Sequence, residues 1–438
     1  METDKTTLND LSIFNAEDDY SVFNVLNFTR TSNGKEQLKK NIRTPLSTKE
    51  SIEGVQQTVQ LISSEVSKWP MQISNGTVMV VERFYETSID PIPAHVSSVG
   101  AMSYKLLHGP DYSLVKYSIT HCFDLIKGMQ QIVKDFLQEE SPLPLKKILQ
   151  QSKKIVDSGN LKLVEQYQKA ADVPIPLQLQ LGQFLRYHYK QNMLDLIGCY
   201  AQLDAWYGMA MAATNLDLAF PAFIESKEPS IEADGLYHIL LNKPVPYDIR
   251  MNRETNFLFL TGANMAGKST FIKAVGTAVF LAHVGMPVPA KYMRLSVFDG
   301  LLSNINVIDN IVKGESYFFN EVQRIKATVS KINDGRKWLI LIDELFKGTN
   351  VQDAMKCSTA VIEGLLKIQN SLFILSTHLY EIGDALKIHP NLSFNYFETT
   401  VVDGQLSFSY LLREGISNDR LGYLILQREG VVKMLEDL

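Results

Sequence analysis

The chain has 438 residues, 45% of them apolar, with a formal net charge of −5 and a pI near 6.0. That length exceeds one ordinary domain and points to two or three, while the apolar share supports buried cores and excludes wholesale disorder. The acidic balance excludes a global basic field, so any nucleic-acid contact has to come from a local patch or a dimer groove.

The opening stretch, METDKTTLNDLSIFNAEDD, is acidic and lacks the cationic start and apolar block of a secretory signal. Five basic residues follow close together: Arg30, Lys35, Lys39, Lys40 and Arg43. They are the candidate DNA contacts of this chain, although such a run is more often a solvated helix face. Phosphate contacts from them would be sequence-independent and weakened by salt. Between Trp69 and Pro110 several prolines and short β-branched runs such as TVMVVERF leave residues 70–110 without an assigned element.

Helical spacing is clear further on. Apolar residues recur at steps of three and four from Ile119 to Leu137, and again from Phe184 to Met211. The plain reading is a helical bundle. The polar stretch ESKEPSIEADG, Glu225 to Gly235, carries a proline and ends in glycine, so it is expected to be a boundary. The expected organisation is therefore a helical core or lever domain over 1–235 and a nucleotide-binding domain over 236–438.

Past that boundary the texture changes. FLFLTG, KWLILIDEL and LFILSTH are apolar runs of strand length separated by helical stretches. Such strands predict a mostly parallel sheet covered on both faces. The fold class expected is thus α plus α/β. TTVVDGQLSFSYLL, with Asp403-Gly404 at its centre, reads as a hairpin. No run reaches the roughly 18 apolar residues needed to cross a bilayer. Cys122, Cys199 and Cys357 are odd in number and far apart, against a disulfide framework or a zinc cluster. A cytoplasmic protein without a membrane partner is expected.

The chemistry begins at LTGANMAGKSTF, Leu260 to Phe271, which has the G-x-x-x-x-G-K-[ST] spacing of a phosphate-binding loop. An apolar strand precedes it and a helical pattern follows, the context in which backbone N–H groups and a helix N-terminus meet phosphate oxygens. The expected nucleotide contacts are Gly262, Asn264, Met265, Ala266, Gly267, Lys268, Ser269 and Thr270. Lys268 supplies a cation to the β- and γ-phosphates, and the Ser269 hydroxyl is a ligand for Mg²⁺. LILIDE ends a strand in two acids. Asp343 is expected to hold Mg²⁺ and Glu344 to polarise the attacking water. His378, in STHL at another strand end, is a candidate γ-phosphate sensor, against the commoner reading of a packing histidine. Gly314-Glu315-Ser316 alone is only a turn or a helix cap.

In order and wording these motifs resemble the ATPase domain of the MutS family of DNA mismatch-repair proteins. TGANMAGKST resembles its phosphate loop, IDELFKGTNVQDA its second acidic motif, STHL its strand-end histidine and GESYFFNEV its signature segment. VLNFTRTSNGKEQLKKNIRTPLSTKESIE is similar to the start of the family's core helical domain, and ISNDRLGYLILQREGVV to the closing segment of its ATPase domain. The resemblance implies an ABC-type phosphate-loop ATPase using ATP or ADP and Mg²⁺. It also implies a homodimer in which Ser316 of one subunit acts in trans at the nucleotide of the other. The implied activity is an ATP-driven DNA clamp in mismatch repair or a related process on structured DNA, together with other repair proteins. The rival expectation is a nucleotide-switched protein-interaction module that touches no DNA.

Several departures bear on that implication. The core-like segment starts near residue 25, so the family's mismatch-reading and connector domains are not expected in this chain, and RFYE at Arg83 to Glu86 is only a superficial echo of the reader. Glu315 stands where the family often has arginine, Phe346-Lys347 replace Gly-Arg, and Leu379 follows His378 where an aromatic is common.

Overall fold

The structure is a computed structural model; it describes residues 1–15, 20–94, 96–158, 161–306, 317–402, 405–417 and 430–436. In chain order the helices are α1 (Lys5–Asp10), α2 (Val22–Leu26), α3 (Ser32–Arg43), α4 (Lys49–Ser64), α5 (Asn75–Glu86), α6 (Ser98–Leu107), α7 (Gly109–Phe136), α8 (Leu143–Val156), α9 (Lys162–Gln166), α10 (Ile175–Gln183) and α11 (Lys190–Asn215). Strands β1 (Ala222–Ile224), β2 (Ile231–Leu236), β3 (Tyr247–Met251) and β4 (Phe257–Thr261) lead into α12 (Lys268–Val284). Then come β5 (Tyr292–Ser296), β6 (Gly300–Asn304), α13 (Tyr317–Ile332), β7 (Trp338–Asp343), α14 (Val351–Leu365), β8 (Ser371–Ser376), α15 (Ile382–Leu386), β9 (Leu392–Val402) and β10 (Gln405–Glu414). The fold is α plus α/β, as the sequence pattern predicts.

Two compact units emerge. One is helical and comprises Leu26–Arg43 and Gly54–Leu216; the other comprises Met1–Val25, Thr44–Glu53 and Asp217–Leu438. The expected boundary near residue 235 falls inside β2. Its polar look has a simple cause: Ile231, Ala233 and Leu236 are buried while the residues between them are partly exposed, the half-exposed alternation of a strand. Residues 1–25 likewise belong with the sheet-containing unit rather than the helical one. Glu2 pairs with Gly300 as a parallel bridge. The buried Asp10 carboxylate accepts from Ser303 Oγ at 2.6 Å and from the Ile305 and Asn306 backbone N–H groups at 3.0 and 3.2 Å.

In the helical unit, α7 has Pro110 in its first turn and buries Val115, Ile119, Phe123, Ile126, Met129, Val133 and Phe136. The helix therefore reaches back ten residues before the predicted Ile119 start. α11 is apolar on nearly every side and packs on α3 and α8. At its middle Asp204, fully buried, accepts from the N–H groups of Arg30 and Thr31, each at 2.9 Å, and from Thr31 Oγ1 at 2.6 Å. Gly34 is required there, because a Cβ would lie 2.0 Å from Asp204 Oδ2. The predicted helix over Phe184–Met211 is interrupted: Phe184–His188 form a π-helical turn before α11 begins. TVMVVERF, unassigned from sequence, lies in α5. Ser74 caps that helix reciprocally with Thr77, and Val78, Val81 and Phe84 are buried, so tertiary packing and a capping box override β-branched propensity.

The other unit contains a six-stranded sheet of order β10-β9-β4-β8-β7-β6. All its pairs are parallel except β9 with β10. β4, β7 and β8 are buried along their whole length, which explains their unbroken apolar sequences. β9 and β10 pair as the expected antiparallel hairpin, though Asp403 and Gly404 themselves lie outside the described residues. A smaller four-stranded sheet of order β1-β5-β2-β3, mixed in direction, was not foreseen. The chain leaves β4 toward β8, β7 and β6 on one side, and β9 lies on the other. The carboxyl end of β4 is thus a topological switch point, where open α/β sheets bind ligands.

Candidate functional site

Because β4, β7 and β8 run parallel, their carboxyl ends share one edge. The register pairs Leu260 with Ser376 and Ser376 with Asp343. The loop after β4 turns through three left-handed residues, Gly262 at φ 138°, Met265 at φ 68° and Gly267 at φ 112°. Glycine meets this need at two of them, and Gly262 also lies where a Cβ would be 3.3 Å from the Phe397 backbone. Gly267 caps α12, so the helix starts at Lys268 with its N-terminal N–H groups at the loop.

Lys268 is almost fully buried and its ammonium donates to Gly262 O at 2.8 Å and Ala263 O at 3.0 Å. Burial pulls its pKa down, and the carboxylates of Glu344 and Asp343 oppose that shift. Ser269 Oγ donates to Asp343 Oδ2 at 2.5 Å, and the Ser376 hydroxyl donates to the other Asp343 oxygen. A serine hydroxyl at the start of α12 and a carboxylate at the end of β7 are thus joined, a hard oxygen pair suited to a small divalent cation.

Glu344 follows Asp343 at φ 67°, and its N–H donates to Ser376 O at 2.9 Å. Its carboxylate lies 2.6 Å from His378 Nε2 and 3.2 Å from Lys347 Nζ. Burial alone would raise its pKa, but the His378 and Lys347 contacts outweigh this and bring it down to about 2. His378 reaches this position because the pairing of β4 and β8 continues past the strand, with Thr377 N–H donating to Leu260 O at 2.9 Å.

A cavity of about 450 Å³ opens here, lined on the loop side by Asn264, Met265, Gly267, Lys268, Ser269, Thr270 and Glu344. Its size falls within the usual range for small-molecule sites. The opposite wall is Leu241, Lys243, Val245, Tyr247 and Tyr410. Sequence reasoning missed this wall, since it comes from a loop, β3 and β10 with no shared motif. Ala266 is buried beneath the loop and does not line the cavity.

Lys268, Ser269, Asp343, Glu344 and His378, spread over more than 100 residues, are therefore one constellation. Ser316, with Glu315, lies outside the described residues. The basic candidates belong to the helical unit. α3 buries Gly34, Leu38 and Ile42, leaves Lys40 and Arg43 exposed, and holds Lys35 and Lys39 half-buried. The Arg30 guanidinium is already engaged with Met71 O at 3.0 Å. Among the described residues no helix is long and apolar enough to cross a membrane.

The family model described as MutS domain V matches residues 258–434, the stretch that carries β4, the glycine loop and every residue of the constellation. The DNA mismatch repair protein MutS of Streptococcus suis (strain 98HAH33) is 26% identical over 280 residues, 63% of this chain and 32% of that protein. Proteins of the same description from Geobacillus sp. (strain WCH70) and Oleidesulfovibrio alaskensis (strain ATCC BAA-1058 / DSM 17464 / G20) are 28% identical over 263 and 280 residues. These cover 58% and 62% of this chain but only 30% and 31% of those proteins. The chain spans about a third of the length of the curated relatives it matches. The domain V match and these relatives agree on what the chain is similar to: MutS proteins, over residues 258–434 by the family model and over about 60% of the chain by the curated relatives.

Proposed function

We propose that this chain is a Mg²⁺-dependent ATPase of the MutS type whose nucleotide cycle drives a DNA-binding clamp in mismatch repair or a related process. The observation that carries the reading is Ser269 Oγ, 2.5 Å from Asp343 Oδ2, beside the buried Lys268 at the mouth of a cavity large enough for a nucleotide. Lys268 would bind phosphate oxygens, and Ser269 and Asp343 would hold Mg²⁺. The ion, when bound, neutralises charge on the phosphates. Glu344 would orient the attacking water and His378 would sense the γ-phosphate. The site would be completed in a homodimer by Ser316 of the second subunit, with the protein working in the cytoplasm.

DNA contact is supported by the charge distribution. The helical unit holds more lysine and arginine than aspartate and glutamate, and the other unit the reverse. The relatives carry the description of DNA mismatch repair proteins. The engagement of Arg30 with Met71 favours the rival reading, a nucleotide-switched module for a protein partner. The deciding experiment is binding to perfect duplex, mismatched duplex and a four-way junction. Each is tested without nucleotide, with ADP and with a non-hydrolysable ATP analogue, at two salt concentrations, alongside ATP turnover. Nucleotide-dependent, salt-sensitive binding supports the clamp. ATP turnover without DNA binding selects the protein-partner switch, and absence of turnover refutes the ATPase.

A further inference from the structure

The loop that follows β7 holds an unusual backbone. Glu344 and Phe346 both sit at positive φ, 67° and 60°. For residues with a Cβ this conformation costs about 1 kcal/mol or more each and persists only where neighbours enforce it. One face of α13 supplies that enforcement.

Glu321, on the first turns of α13, is a buried carboxylate only 5% exposed. Its two oxygens accept from the backbone N–H groups of Lys347 and Gly348, at 3.1 and 3.3 Å. One turn earlier on the same helix the Phe318 ring meets the Phe346 ring at 5.7 Å between centroids. Val322 and Ile325 pack into the core cluster that contains Leu345 and Phe346. Phe318, Glu321, Val322 and Ile325 follow the spacing of a single helix face. The braced loop is the one whose Lys347 ammonium lies 3.2 Å from Glu344. Among the described residues, the hydrogen bonds of the Glu321 carboxylate run to Lys347 and Gly348, neither of which lines the cavity.

Resting on the ATPase reading, we propose that Glu321 is a positioning residue. It ties α13 to the Glu344–Gly348 loop and so fixes the Glu344 carboxylate and Lys347 for hydrolysis, without contributing to nucleotide binding. A buried carboxylate that grips two successive N–H groups is a stiff tie, since the Glu321 charge left without those donors would be penalised. Any displacement of α13 is then passed to Glu344 through two backbone hydrogen bonds.

The test uses the full chain as Glu321→Gln, Glu321→Ala and Glu321→Asp. ADP affinity is measured by calorimetry and ATP hydrolysis in single turnover. Amide exchange is followed in the peptide spanning 344–350. For Glu321→Ala the expected results are ADP affinity within threefold of wild type, hydrolysis slowed at least tenfold, and at least tenfold faster exchange in that peptide. Glu321→Gln keeps the shape and one acceptor and lies between, which keeps the test decisive should the alanine variant fail to fold. Glu321→Asp keeps the charge but shortens the reach, and is expected to recover less than Glu321→Gln. A purely structural residue would lower ADP affinity and hydrolysis together, and that result overturns the proposal. So does unchanged exchange, or unchanged hydrolysis with a loosened loop. A wild-type protein that binds ADP but hydrolyses nothing overturns the ATPase reading and this role with it. It is recognised because wild type and variants are then equally inert.

Discussion

Glu344→Gln offers a sharp view of how this site works. The substitution keeps the side chain's shape and removes its charge. In the structure that charge faces two partners, His378 Nε2 at 2.6 Å and Lys347 Nζ at 3.2 Å. They hold the carboxyl near pKa 2, so it is ionised throughout the neutral range. A group that acidic is a weak proton acceptor, so its contribution lies in orienting and polarising water rather than in removing a proton outright. General-base catalysis is worth about 10²- to 10⁴-fold, and an orienting carboxylate belongs in the lower part of that range. The expected loss is about 10²- to 10³-fold, or roughly 2.7–4 kcal/mol of barrier at 1.36 kcal/mol per decade. ADP affinity should stay within about threefold, because the loop N–H groups, Lys268 and Ser269 are untouched. Single-turnover phosphate release measures the first quantity and calorimetry the second. Hydrolysis at the wild-type rate with normal ADP affinity would refute the assignment of Glu344 and move the water-orienting role elsewhere.

Other expectations follow from the same contacts. Asp204→Ala leaves two N–H groups and a hydroxyl without their acceptor; at 1–3 kcal/mol per orphaned group, partly relieved by water, the loss is about 3–5 kcal/mol. Urea unfolding should register it, and a loss under 1 kcal/mol would argue against this clip. Stability should also fall in acid. Burial pushes His283 down to about 3 and His238 to about 4, the latter helped by the nearby Lys273 cation. Their unfolded-state pKa is near 6.5, so between those values the unfolded chain binds more protons and stability drops as pH falls. At pH 4.5 each histidine costs roughly 2–3 kcal/mol relative to pH 7. His283→Gln should flatten the acid limb of a melting-temperature profile, and an unchanged profile would refute its share. Reversing Lys35, Lys39 and Lys40 to glutamate should reduce DNA affinity at least tenfold and lower the salt slope, with ATP turnover unchanged; unchanged DNA binding would clear α3 of that role.

Much of the candidate site was legible in the sequence because each part is local. A glycine loop, a strand ending in Asp343-Glu344 and a strand followed by His378 are short runs whose backbone setting is written beside them. What could not be read depends on distant chain. Glu321 lies within a quoted motif, yet nothing local reveals that it meets the N–H groups of Lys347 and Gly348. The cavity's second wall joins residues 241–247 to Tyr410, itself at φ 56° where the β9–β10 register shifts. The polar stretch at 225–235 misled because β2 exposes alternate residues, and alternation over so short a strand looks like a linker. TVMVVERF misled for the opposite reason, since its β-branched residues favour strand until Ser74 and the neighbouring helices are taken into account.

The division of residues between the two units has a consequence for how the molecule comes into being. Asp10 receives the Ile305 amide across 295 residues of sequence. At roughly 5–20 residues per second of synthesis, α1 waits on the order of 15–60 s for its partner strand. Apart from the short segment Thr44–Glu53, the chain from Leu26 to Leu216 belongs to the helical unit, and helical units are rich in local contacts that form quickly. The order of folding therefore departs from the order of synthesis: the inserted helices can close first, and the chain's opening residues are among the last to find their place, docking only once β6 has emerged.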